Sequence, residues 1–154
     1  TLVYTLSLHD ALPISDDAGR ARRVGAVRYL LDTCTLIWLC SDPSRLPETV
    51  AARLDADDAT VMFSDASALE IVLKWTAGKL HLPEPPRAWI EHQLRAWSLD
   101  QAPLSRQVMY RASELPTHHS DPFDRLLVAT AIEHEATLVT PDELIHRYPV
   151  AWVW

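Results

Sequence analysis

Five acidic residues of this 154-residue chain stand where segments that look like strands end or where helices begin. They are Asp32, Glu70, Asp121, Asp124 and Asp142. In an open parallel sheet, ligands bind in the crevice outside the carboxyl ends of the strands, so these acids are expected to converge there. Crowded carboxylates repel one another, and a divalent cation is the most direct way to offset that repulsion. The pattern therefore predicts a metal centre.

The side chains also indicate which metal and which chemistry. A set of ligands that offers only oxygen atoms favours a hard cation, so Mg²⁺ or Mn²⁺ is expected rather than zinc. Such ions lower the pKa of a bound water molecule and stabilise the charge that develops on a phosphodiester during its hydrolysis. A nucleophilic role for Cys34 is a weaker alternative, because no motif places a histidine beside it.

Most of the acids also have an ordinary structural explanation. Asp121 followed by Pro122 is a favourable start for a helix, with an N-cap and a proline at the first helical position. Asp124 would then occupy the third helical position, where a carboxylate favours the helix dipole. Asp142 could serve in a turn. Asp32 is the strongest functional candidate, because it ends a hydrophobic segment expected to be a central strand.

The elements that must position these acids alternate between strand and helix. Strands are predicted at 28–33, 60–64, 137–140 and 150–153, with a short extended stretch near Leu99. Helices are predicted around 35–40 and at 48–55, 66–76, 87–97, 105–115 and 122–135. This alternation predicts an α/β fold, a three-layer sandwich with a central and mainly parallel sheet.

The bulk composition fits a single soluble domain. Hydrophobic residues make up 48% of the chain, and no apolar run approaches the roughly 18 residues that a membrane span needs. Cys34 and Cys40 lie on different faces of one short predicted helix, so a reducing, cytoplasmic location is expected. The net charge of −7 argues against a simple basic nucleic-acid binder, although a metal-dependent nuclease must itself carry acids.

The first 26 residues do not match the rest of the chain. The segment from Tyr4 to Ser15 reads YTLSLHDALPIS and resembles the translation of a common sequencing adapter. It lacks the basic start of a signal peptide, and Asp10, Asp16 and Asp17 interrupt any apolar core. Residues 1–26 are therefore expected to be a non-native, disordered extension, and residues 27–154 are expected to form one domain.

Several motifs together resemble the PIN-domain family, and within it the VapC-type toxins of bacterial toxin–antitoxin pairs. The most specific is HSDPFDRLLVATA at 119–131, and the others are RYLLDT at 28–33, SALEI at 67–71, GKL at 78–80 and LVTPD at 138–142. The resemblance covers residues 28 to about 153. It implies a PIN-like fold, with Asp32, Glu70, Asp124 and Asp142 as the catalytic and metal-binding acids and Asp121 as a further metal-site acid.

The same resemblance implies a metal-dependent endoribonuclease that arrests growth, forms a homodimer and is held inactive by a cognate antitoxin. Small hydroxyl residues of the motifs, Thr33, Ser67 and Thr140, are candidates for contacting RNA. Arg125, Lys74 and Lys79 are candidate contacts for its phosphates. His118 and His119 precede a helix, where histidine is more often a surface or packing residue. Pro141 replaces the basic residue that commonly precedes the last acid.

Three other interpretations stay open at this stage. A receiver-like signalling domain also places acids around Mg²⁺ at strand ends, but it needs a lysine after a late strand, and only Lys74 and Lys79 occur here. A dehalogenase-like phosphatase would need an aspartate where Cys34 stands. A catalytically silent PIN-fold binding module is the remaining alternative.

Overall fold

The computed structural model describes residues 25–154, which form one parallel sheet covered by helices. Of the predicted N-terminal extension, residues 1–24 lie outside the described part of the chain. The strands are β1 (Val27–Leu31), β2 (Ala59–Ser64), β3 (Asp100–Ala102), β4 (Thr137–Val139) and β5 (Trp152–Val153). The helices are α1 (Thr33–Ser41), α2 (Glu48–Leu54), α3 (Asp65–Thr76), α4 (Pro86–Ala96), α5 (Arg106–Glu114) and α6 (Pro122–Glu133). Short 3-10 helices occupy Pro43–Arg45 and Ile145–Arg147.

Neighbouring residues of each central strand point into different cores. Leu30, Met62 and Leu138 pack into one apolar cluster with residues of α5 and α6. The next residues along the same strands, Leu31, Phe63 and Val139, pack into a second cluster with residues of α1 to α4. Because side chains alternate across a strand, the sheet is buried on both faces. The predicted three-layer α/β sandwich is confirmed.

The strand order creates a crevice at the centre of the sheet. All five strands run parallel in the order β3-β2-β1-β4-β5, so the chain leaves β1 in one direction for β2 and returns to its other side with β4. Such a switch in direction is where open parallel sheets bind ligands. The peptide N–H of Asp32, just past β1, donates to the carbonyl oxygen of Val139 at the end of β4, 3.2 Å away.

Polar caps begin the helices that lead away from this crevice. Asp32 caps α1, Ser64 caps α3 and Asp121 caps α6, each accepting a backbone N–H of its helix. The first strand is therefore shorter than predicted, since Asp32 already belongs to the start of α1. The prediction of Pro47 as a first helical residue was also off by one position, because Pro47 is the N-cap of α2. Within residues 25–154, no helix combines the length and apolar character that crossing a membrane would take.

Candidate metal centre

Three side chains from distant parts of the chain meet at the crevice. Nε2 of His119 lies 3.1 Å from Oδ2 of Asp124 and 3.0 Å from Oδ2 of Asp142. His119 precedes α6, Asp124 lies in its first turn, and Asp142 follows β4. The three potential ligand atoms all lie within 4.8 Å of one another. This spacing would allow a single cation to contact the group.

Glu70 lies in α3 and is buried, with both of its carboxylate oxygens hydrogen-bonded. The hydroxyl of Thr33 donates to Oε2 at 2.5 Å, and it also lies 3.0 Å from the hydroxyl of Ser67. Nζ of Lys74, one helical turn further on, lies 2.5 Å from Oε1. A buried carboxylate needs such partners, and Lys74 supplies its counter-charge in the metal-free chain.

Asp32 is 4% exposed and combines a structural contact with a place in the crevice. Its Oδ1 accepts the backbone N–H of Thr35 at 2.7 Å and the thiol of Cys34 at 3.0 Å. Burial and then the charge of Asp32 raise the pKa of the Cys34 thiol well above its ordinary range. Cys34 is consequently held as a neutral thiol, which removes the basis for a nucleophilic role.

Asp121 likewise caps a helix beside the other acids. Its Oδ1 accepts the backbone N–H of Phe123 at 2.8 Å, as the sequence predicts for an N-cap. Its own backbone N–H donates to Nδ1 of His119 at 3.0 Å. Asp121 therefore caps α6 with its side chain and orients the ring of His119 with its backbone N–H.

Crowding of these acids appears in the pKa of Asp124. Burial, followed by the charges of Asp121, Glu70 and Asp142, raises that pKa from its ordinary value of 3.8 to about 7, against an opposing contribution from His119. Burial also acts to raise the pKa of Asp142, but the hydrogen bonds from His119 and from the backbone N–H of Leu144 outweigh it and leave that pKa lowered. The repulsion among the acids thus falls mainly on Asp124.

Glu70 and other acids of the site also raise the pKa of Lys74. Its hydrogen bond to Glu70 raises its pKa, and the charges of Glu70, Asp121 and Asp124 add to that effect against a smaller opposing contribution from burial. The side chain is 49% exposed, so solvent screens part of this attraction. Lys74 therefore lies within the electrostatic field of the site acids.

Asp124 lies within electrostatic reach of Glu70, Asp121 and Asp142. Asp32 is next in sequence to Thr33, which is hydrogen-bonded to Glu70. The assignment of all five as metal ligands stays a prediction. Their oxygen atoms suit a hard divalent cation, and such an ion would relieve the repulsion that raises the pKa of Asp124. The residues present therefore fit Mg²⁺ or Mn²⁺.

The residues predicted to contact substrate are already engaged inside the protein. Thr33 and Ser67 are buried, with Thr33 hydrogen-bonded to Ser67 and to Glu70. Oγ1 of Thr140 accepts the backbone N–H of Asp142 at 3.1 Å. The structure thus gives these three hydroxyls the task of holding site acids in place. Their contact with RNA stays a prediction.

Arg125 also has a structural task, and its contact with phosphate stays a prediction. Its guanidinium donates to the carbonyl oxygens of Ala112, Leu115 and Pro116 at 2.8 to 2.9 Å, where α5 ends. It also lies 3.3 Å from the hydroxyl of Tyr148. A planar group with several N–H donors is well suited to join these acceptors.

His119 lies in the site, although a histidine before a helix is more often a surface or packing residue. Its position two residues before Asp121 is the only signal in the sequence, and that position is equally typical of a packing residue. Only the fold shows that its ring turns toward Asp142, 23 residues away.

Comparisons with known proteins agree with this geometry. A family model described as the PIN domain matches residues 29–151. Ribonuclease VapC22 from Mycobacterium tuberculosis is 32% identical over 126 residues, covering 78% of this chain and 92% of the relative.

Two crystal structures share the fold. VapBC2 from Rickettsia felis, bound to a DNA fragment from their promoter, superposes with a TM-score of 0.64 at 21% identity, covering 83% of this chain and 99% of that one. DNA-bound VapBC from Salmonella typhimurium superposes with a TM-score of 0.61 at 18% identity, covering 82% and 97%. At these identities the likeness bears on the fold alone.

The raised pKa of Asp124 predicts how stability depends on pH. Between 3.8 and about 7, the folded metal-free chain retains a proton on Asp124 that the unfolded chain has released, so the free energy of unfolding should fall as pH rises through this range. The lowered pKa of Asp142 acts only below 3.8. Denaturant unfolding with a chelator present, at several pH values, measures the effect.

The Asp124→Asn variant should lose that dependence, while an Asp100→Asn variant, changed at an exposed acid of β3, should keep it. An equal pH dependence in the Asp124→Asn variant and the unaltered chain would contradict the assignment.

The pairing of Lys74 with Glu70 predicts that removing this lysine strengthens the binding of a metal ion. Lys74→Met removes a cation that competes for Glu70, so Mn²⁺ should bind more tightly than to the unaltered chain. Calorimetric titration at low ionic strength measures the change. Lys79→Met, which removes an exposed lysine just beyond α3, is the matched control and should leave the affinity as it was. Weaker or equal Mn²⁺ binding by Lys74→Met would show that Lys74 does not compete for the site.

Proposed function

This chain belongs to the PIN-domain family, and from that membership and the acidic crevice we propose that it is a metal-dependent endoribonuclease, the toxin of a toxin–antitoxin pair. The observation that carries the proposal is the crowding of Glu70, Asp121 and Asp142 around Asp124, whose pKa is about 7. A fold that keeps acids under such repulsion retains them for a cation. The 32% identity to a ribonuclease supports RNA as the substrate.

The proposed reaction is hydrolysis of an RNA phosphodiester by water. Mg²⁺ or Mn²⁺, when bound, would lower the pKa of the attacking water and stabilise the negative charge that develops on the phosphate. Asp32, Asp124 and Asp142 would hold the ion together with Glu70. Thr33, which also contacts Ser67, holds Glu70 by a hydrogen bond, and the cap contacts hold Asp32 and Asp121. Preorganised carboxylates need little rearrangement when the ion arrives.

The other functional classes are less well supported. A receiver-like domain is not favoured, because the matching family is the PIN domain over residues 29–151. A silent binding module would still need the Asp32 cap of α1, but it would have no use for the buried carboxylate of Glu70 and the lysine paired with it. Cleavage of RNA separates the two directly.

Asp32→Asn should abolish RNA cleavage in the presence of Mg²⁺ or Mn²⁺ and should relieve growth arrest. Asparagine caps a helix nearly as well as aspartate, so the free energy of unfolding of the metal-free chain should change by less than the roughly 1 kcal/mol that a lost cap costs. Cleavage of a labelled RNA and denaturant unfolding measure the two effects. Asp100→Asn is the control and should cleave normally. Cleavage retained by Asp32→Asn would refute the proposed metal-dependent mechanism.

A cognate antitoxin is the proposed partner, and two features of the described surface suit it. An apolar groove of about 450 Å³ lies between α1, α2 and the end of α4, lined by side chains that include Leu39, Leu54, Val61 and Trp97. The crevice itself is acidic. An amphipathic helix with a basic residue beyond it would match both, since a guanidinium pairs with carboxylates through two hydrogen bonds. The two similar crystal structures are VapBC assemblies, which supports a two-protein complex.

This account of inhibition predicts that basic residues of the antitoxin are required. Replacing every arginine and lysine of its C-terminal segment by glutamine should restore RNA cleavage in the mixture, because the charge that neutralises the crevice is gone. Cleavage assays at increasing antitoxin concentration measure the loss. Full inhibition by the substituted antitoxin would refute a role for charge.

Homodimer formation is proposed from an exposed apolar stripe on α3. Leu69, Val72, Leu73 and Trp75 are between 40% and 51% exposed, at the three- and four-residue spacing of one helix surface. Contiguous exposed apolar side chains are typical of interaction sites.

Leu73→Asp should accordingly shift the chain from dimer to monomer in sedimentation velocity, because a charge would be buried at the interface. Leu144→Asp, at an exposed leucine outside α3, is the matched control and should leave the mass unchanged. A dimer that survives Leu73→Asp would exclude this surface.

A further inference from the structure

The ring of His119 joins two acids that no other side chain joins among the contacts described for residues 25–154. Its Nε2 is almost equally distant from Oδ2 of Asp124 and Oδ2 of Asp142, at 3.1 and 3.0 Å. These acids come from different elements, one from α6 and the other from the segment after β4. The side chain of His119 is 12% exposed, so the contact is largely shielded from water.

The other ring nitrogen decides which atom carries the proton. Nδ1 lies 3.0 Å from the backbone nitrogen of Asp121, which can only donate a hydrogen bond. Nδ1 must therefore be the acceptor, which leaves Nε2 as the ring nitrogen that carries a proton and donates it. That proton points to the two carboxylates.

We infer that His119 is a positioning residue that donates one proton to both Asp124 and Asp142, and that it is not a metal ligand. The inference rests on the proposed function, because the acids it positions are the proposed ligands. Distances alone favour the opposite conclusion, since the three side chains are close enough to share an ion.

A metal ion requires a bare lone pair on the nitrogen that binds it, and the other ring nitrogen then carries a proton and donates it. In this chain, a proton on Nδ1 would face the N–H of Asp121, and two donors would meet at 3.0 Å. Binding of an ion at Nε2 would thus break the contact that orients the ring. The arrangement is built for donation from Nε2.

The backbone of His119 is held as firmly as its ring. Its N–H donates to the hydroxyl of Tyr148 at 2.9 Å, and that tyrosine is buried. Arg125 lies on the same hydroxyl, and the ring of His118 packs edge-on against Tyr148. Arg125, the arginine of the DPFDR motif, therefore supports the segment that carries His119 through its contact with Tyr148.

Nuclear magnetic resonance tests the assignment without any cleavage assay. A long-range ¹H–¹⁵N correlation spectrum of the imidazole rings should show His119 protonated at Nε2 and bare at Nδ1, both in the metal-free chain and with saturating Mg²⁺. A ring protonated at Nδ1 in either state would overturn the inference. The unaltered chain suffices, so the result does not depend on whether a variant folds.

Metal affinity tests whether His119 positions the acids that are the proposed ligands. His119→Ala should weaken Mn²⁺ binding by about 10-fold to 100-fold, the usual effect of removing a group that orients a metal ligand. His119→Gln places an amide N–H₂ near the position of Nε2 and should recover most of the affinity. His92→Gln, on the exposed side of α4, is the control and should bind Mn²⁺ as the unaltered chain does. Unchanged affinity in His119→Ala would overturn the positioning role.

The outcome also separates this inference from the proposed function. An unaltered chain that binds Mn²⁺ and keeps the Nε2 proton, yet cleaves no RNA, would refute the nuclease and leave the role of His119 intact. Cleavage of RNA combined with a proton on Nδ1 would refute the role of His119 alone.

Discussion

Mutual repulsion among carboxylates at the end of a parallel sheet is the constraint on which this structure depends. The strand order brings the ends of β1 and β4 side by side, and α3 and α6 add their own acids to the same crevice. Without a metal ion, the chain offsets the charge in two ways. Lys74 pairs with Glu70, and His119 donates to Asp124 and Asp142. Burial and the repulsion that remains together raise the pKa of Asp124 to about 7.

The acids are also part of the scaffold that concentrates them. Asp32 and Asp121 each cap a helix and also lie at the site, so one side chain can serve both roles. Thr33, Ser67 and Thr140 are buried, and their hydroxyls connect the site acids to the core. Secondary structure and site geometry are therefore maintained by the same hydrogen bonds. An asparagine at either cap would keep the helix while removing the charge.

Much of this arrangement could be predicted from the sequence, for physical reasons that concern single residues. Leu30 and Leu31 precede Asp32 in a segment apolar on both faces, which is typical of a central parallel strand. Asp121 and Pro122 mark a helix start by local chemistry alone. Contacts between distant residues could not be predicted in this way. The hydroxyl of Thr33 reaches Glu70 across 37 residues, and the guanidinium of Arg125 contacts the end of α5 and Tyr148.

Anomalous X-ray diffraction from crystals of this chain grown with Mn²⁺ would test the central claim most directly. The account predicts an anomalous peak in the crevice, within bonding distance of carboxylate oxygens of Asp32 and Asp124 and beyond bonding distance of Nε2 of His119. It also predicts that Lys74 has moved off Glu70 in that crystal. A crevice without an anomalous peak at saturating Mn²⁺, with Lys74 still on Glu70, would contradict the claim that these acids are kept for a metal ion.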